Sequence, residues 1–530
     1  MATEKVAIFC NMNSLFHRLL DYYSITEQDF EFLTKDVNPQ SFVNEYRFNN
    51  VNEAVELVNN AVKNGKKIHI YGDYDADGIM GVSILVKMFE YLNYDVTYCV
   101  PSRYKDGYGI NMSKASQMVK DGIGLCICVD NGVSAVEPIA FLRQNNVDVL
   151  VLDHHEAPEI LPKANVILHP FLSKLSQYST SGASVAFLFS VYMLKRFDKY
   201  LSTLASISII SDMMPLRGYN RDLLRIVFAR YTEGEFYQID LLKGNDPFDE
   251  NAIGMSIAPK INSVGRIIED ASINDIIKFF ISTSKDSILT YYNWINDLNN
   301  ERKEASKSLL ESDIDIKDEN ASIVVEVEEK EGLIGLIANS LMNKYKKPSI
   351  VFTYNPEQGI LKGSCRSQEG FNVVEAFDSL KDLMVAYGGH SLAGGCSIYK
   401  KDFEEFKTRF NDFAIKHPVI KVEKPSIPLS ITEISFENYE LISKFGPFGE
   451  DWKKPIFNLQ NIRVGSLKYS KDFKHIITQI GTNSKITGFN ISKEILFGKN
   501  TVDFLGTLRT STYKTIKSIE FLISSIKEIR

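Results

Sequence analysis

The chain is expected to be an α/β protein: a parallel-sheet domain, then a smaller α/β domain, then a β-rich tail. Three observations predict this. From about residue 51 to about 270, short apolar runs alternate with amphipathic stretches of about 10 to 15 residues, the pattern of βαβ units with helices on both sheet faces. A polar, helix-favouring tract from Ile273 to about Ser312 then separates this region from a second alternation beginning at Ala321-Ser-Ile-Val-Val-Glu-Val327. Past Lys421-Val-Glu-Lys-Pro-Ser-Ile-Pro428 the strands become short and alternating.

In order along the chain, residues 1–50 read as a lead-in with aromatic and acidic residues and no assignable chemistry. Residues 51–272 form the first domain. Its helix Val51-Asn-Glu-Ala-Val-Glu-Leu-Val-Asn-Asn-Ala-Val62 precedes the strand Lys67-Ile-His-Ile70, and a second helix runs from Gly81 to Tyr91. Residues 273–315, with Asn299-Asn-Glu-Arg-Lys-Glu-Ala305, form a connecting helix or an ordinary surface helix. Residues 316–418 hold the helix Leu333-Ile-Gly-Leu-Ile-Ala-Asn-Ser-Leu-Met342 and the glycine-rich Gly388-Gly-His390, which a turn would also explain. Residues 425–530 form the tail, entered at Phe445-Gly-Pro-Phe-Gly449, with strands Lys474 to Ile480 and Ile486 to Asn490.

At 530 residues the chain exceeds one hydrophobic core. No run approaches the roughly 20 apolar residues of a membrane span, and Val6-Ala-Ile-Phe-Cys10 is too short for a signal segment, so a cytoplasmic protein without membrane partners is expected. Cys10, Cys99, Cys126, Cys128, Cys365 and Cys396 form no C-x-x-C pair and read as reduced core thiols. The net charge of −7 argues against a polyanionic partner until its distribution is read. Residues 461–530 carry 12 Lys or Arg against 5 Asp or Glu, a local +7 that leaves −14 elsewhere. A basic module on an acidic body suits a nucleic acid held beside bound metal ions.

The acids are placed for metal binding. Tyr71-Gly-Asp-Tyr-Asp-Ala-Asp-Gly78 sets Asp73, Asp75 and Asp77 at every second position after a strand, where alternate side chains share a face. Leu125-Cys-Ile-Cys-Val-Asp130 and Val151-Leu-Asp-His-His-Glu156 end similar runs and supply Asp130, Asp153, His154 and His155. Ile207-Ser-Ile-Ile-Ser-Asp212 reads as a fourth strand end. In a parallel sheet these ends share one edge, where open α/β sheets bind ligands. Carboxylates crowded there require a cation, and oxygen ligands suit Mg²⁺ or Mn²⁺.

The constellation resembles the DHH phosphoesterases, and within them the RecJ exonucleases. The likeness runs in order through Gly72-Asp-Tyr-Asp-Ala-Asp-Gly78, Pro101-Ser-Arg-Tyr-Lys-Asp-Gly-Tyr-Gly109, Val129-Asp-Asn-Gly-Val-Ser134 and Asp153-His-His-Glu-Ala-Pro158. It continues through Ser181-Gly-Ala-Ser-Val-Ala-Phe187, Ser211-Asp-Met-Met-Pro-Leu216, Ala258-Pro-Lys-Ile-Asn-Ser-Val-Gly-Arg266, Gly363-Ser-Cys-Arg-Ser367 and Tyr387-Gly-Gly-His-Ser-Leu-Ala-Gly-Gly395. It implies a DHH catalytic domain at 51–272, a DHHA1 substrate-binding domain at 316–418 and an OB-like nucleic-acid-binding domain at 425–530. Arg509 to Arg530 shows no clear RecJ pattern.

The resemblance further implies a monomeric single-stranded-DNA-specific 5′-to-3′ exonuclease of recombination and repair, working with two ions, Mn²⁺ or Mg²⁺. Asp75, Asp77, Asp130, His154 and Asp212 are the implied ligands, with Asp153 a further ligand or bridge. Asp73 and His155 orient ligands or touch phosphate. Tyr71 stands where many DHH proteins carry a His, and a phenol is a poorer neutral ligand. Arg103, Lys260, Arg266, Ser364, Arg366, Gly388, Gly389 and His390 are implied to bind phosphate or DNA; for each arginine a structural ion pair is the alternative. A single-strand-binding protein or a helicase is the candidate protein partner. Two other readings stay open: a DHH phosphodiesterase acting on oligoribonucleotides or cyclic dinucleotides, and a catalytically silent RecJ-like DNA-binding protein.

Overall fold

The computed structural model describes residues 14–311, 320–356, 358–420, 425–513 and 516–529. Of these, the residues within 38–422 form one compact unit, and those within 1–37 and 423–530 form another. The run Val6 to Cys10, residues 312–315 of the expected connecting helix and Lys421 to Lys424 of the expected linker lie outside the described residues.

The larger unit holds strands β1 (Ile68–Tyr71), β2 (Thr97–Cys99), β3 (Leu125–Val129), β4 (Asp148–Leu152) and β5 (Val166–Leu168). They pair in parallel in the order β2-β1-β3-β4-β5. β3 is buried at every position, as a central parallel strand covered on both faces must be, and its sequence is accordingly apolar without alternation. Helix Ala76–Tyr91 after β1 is buried from Ala76 to Phe89 and packs against helices Gly182–Leu194 and Lys199–Ser211. It begins before Gly81 because Asp75 caps it, Oδ1 accepting from the Asp77 and Gly78 amides at 3.0 and 3.2 Å. From β1 the chain goes to β2 on one side and then to β3 on the other. The order therefore reverses at β1 and opens a crevice at these strand ends.

Later in the same unit come β6 (Ile323–Val327), β7 (Ser349–Asn355), β8 (Ile360–Arg366), β9 (Met384–His390) and β10 (Ala393–Tyr399), in the order β6-β7-β8-β10-β9. Ile350, Phe352, Phe377, Phe406 and Phe410 form the core of this sheet and its helices Val373–Ser379 and Phe403–Lys416. Gly388-Gly-His390 is not a turn: it ends edge strand β9 and pairs with Ala393 to Gly395. Helix Lys285–Glu311 fills the expected connection, but starts later than Ile273 because the short helices Ala271–Asn274 and Asp275–Ile281 come first.

The second unit contains β11 (Ile427–Leu429), β12 (Phe457–Arg463), β13 (Ile476–Gly481), β14 (Ser484–Gly488), β15 (Thr501–Tyr513) and β16 (Ile516–Ile529), in the order β11-β12-β15-β16-β14-β13. The segment from Arg509, without a legible pattern in sequence, lies in the long antiparallel pair β15 and β16. Helices Leu15–Tyr23 and Glu27–Thr34 belong to this unit. Tyr23 stacks on Trp452 with centroids 4.4 Å apart, Phe30 meets Phe445 at 4.6 Å, and Arg18 pairs with Glu433. Residues 38–50 go the other way: Phe42, Tyr46 and Phe48 are buried in the larger unit, the first two against Tyr219. The lead-in is thus divided between the units.

Candidate metal centre and its arginine face

Each acid reaches the crevice by a different local device. Asp77 lies in the first turn of helix Ala76–Tyr91 and is buried. Its Oδ1 accepts from the Ala183 amide at 2.7 Å and the Ser208 hydroxyl at 2.5 Å, and its Oδ2 from the Gly182 amide at 2.7 Å. Asp130 follows β3 with φ of 62°, a left-handed conformation uncommon for a residue with a side chain. Beside it, Asn131 Nδ2 donates to the carbonyls of Tyr71, Gly72 and Val129 at 3.2, 3.0 and 2.9 Å, tying the ends of β1 and β3 together.

Asp153 follows β4 and is fully buried. Its Oδ2 accepts from the Val133 amide at 2.8 Å, while its Oδ1 takes the amides of His154 and His155 at 2.7 and 3.2 Å and lies 2.8 Å from His155 Nδ1. These partners make Asp153 a support for both histidines, while its Oδ2, with the Val133 amide as donor, keeps a second lone-pair site.

Asp212 corrects the sequence reading. It stands at the C-terminal end of helix Lys199–Ser211, not at a strand end. A short apolar run rich in isoleucine does not distinguish the two, and this helix buries its hydroxyls by returning them to its own carbonyls. Thr203 donates to Lys199 and Ser206 to Thr203, at 2.8 and 2.7 Å.

These devices bring ligand atoms together in three sets: Asp77, His154 and Asp212; Asp73, Asp75 and Asp130; and Asp130, His154 and His155, the atoms of each lying within 4.8 Å of one another. His154 Nε2 is 3.1 Å from Asp130 Oδ1 and 3.5 Å from both Asp77 Oδ2 and Asp212 Oδ2. Asp73 and His155, both expected to orient ligands or touch phosphate, each offer an atom to one of these sets. Tyr71 does not: it is buried, and its hydroxyl donates to the Gly109 carbonyl at 3.2 Å.

Burial and then mutual repulsion raise Asp73, Asp75 and Asp130 above the ordinary carboxylate range and Asp212 to about 8. Burial lowers His154, leaving a neutral imidazole. For Asp153 and His155 burial disfavours the charged forms, but their mutual hydrogen bond and attraction outweigh it, holding Asp153 at about 2 and His155 at about 9.

Next to the acids lies a basic face. Arg103 sits over the Tyr74 ring at 4.1 Å, Arg266 Nη1 donates to the Gly332 carbonyl at 3.0 Å, and Arg366 Nη1 donates to Ser364 Oγ and the Cys365 carbonyl at 3.1 and 2.7 Å. Among the described residues none of the three has a carboxylate partner, so the structural ion-pair alternative is not found. Burial and then the charges of Arg103 and Arg302 lower Arg266 to about 10. Helix Ala258–Ile267 comes close to the acid loop because Gly265 lacks a side chain: a Cβ there would lie 2.0 Å from the Tyr74 carbonyl oxygen.

Lys260 donates to the Leu242 carbonyl, one of the three hydrogen bonds its ammonium can give. Gly388, Gly389 and His390 are exposed on β9. The sequence reading missed Tyr108, 2.9 Å from His155 Nδ1; Asn131; Asn262, which accepts from the Ala76 amide at 2.9 Å; Ser208; and Arg302. Tyr108, Asn131, Asn262, Ser208 and Arg302 all lie inside stretches already singled out, but nothing in those stretches marks Ser208 as a partner of Asp77.

Three family models match: the DHH family N-terminal domain over residues 67–210, the DHHA1 domain over 320–416 and the RecJ OB domain over 426–525. The chain thus carries in order a DHH N-terminal domain, a DHHA1 domain and a RecJ OB domain. The last match extends the RecJ likeness well into the segment from Arg509. This DHH protein is 28% identical over 444 residues to the single-stranded-DNA-specific exonuclease RecJ of Bacillus subtilis, covering 81% of this chain and 56% of that one. It thus spans little more than half the length of that relative. RecJ of Thermus thermophilus in complex with Mn²⁺ has a similar fold, with a TM-score of 0.80 at 22% identity over 97% of this chain and 78% of that chain. An exonuclease RecJ bound to manganese aligns with a TM-score of 0.61 at 28% identity over 70% of this chain and 96% of that chain.

Proposed function

We propose that this DHH protein is a single-stranded-DNA-specific 5′-to-3′ exonuclease of recombination and repair, hydrolysing phosphodiester bonds with two divalent ions, Mn²⁺ or Mg²⁺. The observation that carries the reading is the convergence of Asp73, Asp75, Asp77, Asp130, His154 and Asp212 at the switch point, beside arginines that have no acid partner among the described residues. The donor set fits a divalent cation. Among the described residues Asp73 Oδ1 and Asp212 Oδ2 are buried without a hydrogen-bond partner, the carboxylates repel one another, and burial lowers the pKa of His154. Asp77, His154 and Asp212 would hold one ion, and Asp73, Asp75 and Asp130 the other.

When bound, the ions supply Lewis-acid polarisation of the phosphate and lower the pKa of an attacking water. The chain's own groups do the rest. Asp153 fixes both imidazoles, and His155, 41% exposed at its side chain and held at Nδ1 by Asp153 Oδ1, is the one placed to touch a phosphate oxygen. Arg103, Arg266 and Arg366 with Ser364 hold a terminal 5′ phosphate, which makes the enzyme act from an end. Gly388, Gly389 and His390 give further donors along the strand.

The RecJ OB match and the basic tail favour a DNA strand over a dinucleotide substrate, and the full acid set favours catalysis over silence. Among the described residues no helix is long and apolar enough to cross a membrane. We place the enzyme in the cytoplasm as a monomer, with a single-strand-binding protein or a helicase as partner; sedimentation and pull-down with each check this.

The deciding experiment incubates 5′- and 3′-labelled single and double strands, DNA and RNA, with Mn²⁺ or Mg²⁺. Mononucleotides should be released from the 5′ end of single-stranded DNA and not in the presence of chelator. Release from the 3′ end, or metal-independent cleavage, would overturn the reading.

A further inference from the structure

We infer that Ser208 is a positioning residue that restricts Asp77 to one ligating oxygen and so sets the affinity of one of the two ions; the inference rests on the metal-centre reading above. An ionised carboxylate has about four lone-pair sites, two on each oxygen. At Asp77 both sites of Oδ1 are taken, by the Ala183 amide at 2.7 Å and the Ser208 hydroxyl at 2.5 Å. Oδ2 accepts only the Gly182 amide at 2.7 Å and keeps its second site, 3.5 Å from His154 Nε2. The hydroxyl is therefore the group that closes Oδ1 and leaves Oδ2 as the free donor.

The other hydroxyls of the same helix show that this is a directed use of Ser208. Ser202, Thr203, Ser206 and Ser211 all donate to carbonyls three or four residues back, to Lys199, Lys199, Thr203 and Ser208 respectively. Ser208 alone among them donates out of the helix, to Asp77. It is fully buried and one turn before Asp212, on the same helix face. One helix thus supplies the Asp212 carboxylate and the hydroxyl that aims its neighbour in the ligand set. The amides of Gly182 and Ala183, at the start of helix Gly182–Leu194, place a positive helix end beside Asp77.

The test measures Mn²⁺ binding calorimetrically, and by Mn²⁺ electron paramagnetic resonance, on the full chain of wild type, Ser208→Ala and Ser208→Cys. Loss of a group that orients a metal ligand weakens binding roughly 10- to 100-fold. The alanine variant should lose at least about that lower figure at one class of site and leave the other class, and affinity for a 5′-phosphorylated oligonucleotide in chelator, as in wild type. The cysteine variant keeps the volume with a weaker donor and should fall between, and it carries the test if the alanine variant does not fold. The Mn²⁺ concentration giving half-maximal activity should rise in step. Affinities within twofold of wild type at both classes would overturn the role of Ser208. A wild type that binds no Mn²⁺ would instead overturn the metal-centre reading.

Discussion

At the scale of single residues the crevice is a set of carboxylates that a cation must reconcile. Asp77 belongs to one ligand set and Asp130 to the other two, and His154 lies 3.1 Å from Asp130 and 3.5 Å from Asp77. Asp77→Ala or Asp130→Ala should abolish hydrolysis while leaving binding of single strands largely intact, since the second unit keeps its basic residues. Activity measured with saturating Mn²⁺, beside filter binding in chelator, checks both halves, and appreciable turnover in either variant would mean that the ligands are misassigned. Arg366 tests the other face. Its guanidinium has no carboxylate partner among the described residues and is held by Ser364 and its own strand. If it grips a terminal phosphate, wild type should favour a 5′-phosphorylated over a 5′-hydroxyl strand. Arg366→Ala should diminish that preference by roughly 1.5–3 kcal/mol, read from kcat/KM on both strands. Equal efficiency on both ends in wild type would remove the assignment.

At the scale of elements, helix Ala258–Ile267 approaches the Tyr74 backbone so closely that Gly265 has no room for a side chain. Gly265→Ala must push the helix from the acid loop and carry Arg266 with it. A loss of roughly 1–3 kcal/mol in denaturant stability, with a lower kcat, is expected from such overpacking; an unchanged midpoint and unchanged kcat would show that the helix yields freely there. In the second unit, helix Leu15–Tyr23 is held by Arg18, paired with Glu433, whose carboxyl is pulled below its ordinary range by the Ser430 amide and Arg18 against the opposing effect of burial. A depressed folded pKa adds stability above the unfolded pKa of about 4.3 and loses it as pH falls through the folded value. Glu433→Gln should therefore cost about 1 kcal/mol or less at pH 7, with the difference from wild type shrinking as pH falls below the unfolded value and through the lower folded one. Melting curves at pH 7 and pH 3.5 read this, and a difference independent of pH would assign the loss to packing.

At the scale of the whole molecule, the domains are discontinuous in sequence: residues within 1–37 join those from 423 onward, and 38–422 stand as the other unit. A fragment of residues 38–420 therefore removes the second unit cleanly, whereas cutting only at 425 would strip the aromatic partners Phe445 and Trp452 from Phe30 and Tyr23. The fragment should cleave short oligonucleotides, yet bind long single strands more weakly and with a shallower dependence on salt. The slope of log affinity against log salt falls by about 0.7 for each phosphate that the protein no longer neutralises. Wild-type affinity and slope in the fragment would give the basic tail another task.

The sequence by itself determined the parallel sheet, the placing of Asp73, Asp75, Asp77, Asp130 and Asp153 with its two histidines, and the family. Those features are local: a strand's apolar run, its breaker and the polar residues between them occupy a few consecutive positions. Tertiary structure alone decided that Asp212 enters from a helix, since an isoleucine-rich run suits either element until its neighbours are packed. It likewise decided that Asp153 holds the amides of both histidines, that Tyr71 turns into the core and that Ser208 serves Asp77, 131 residues away in sequence. Which lone pair a donor occupies depends on groups brought together by folding, and no spacing along a chain records that.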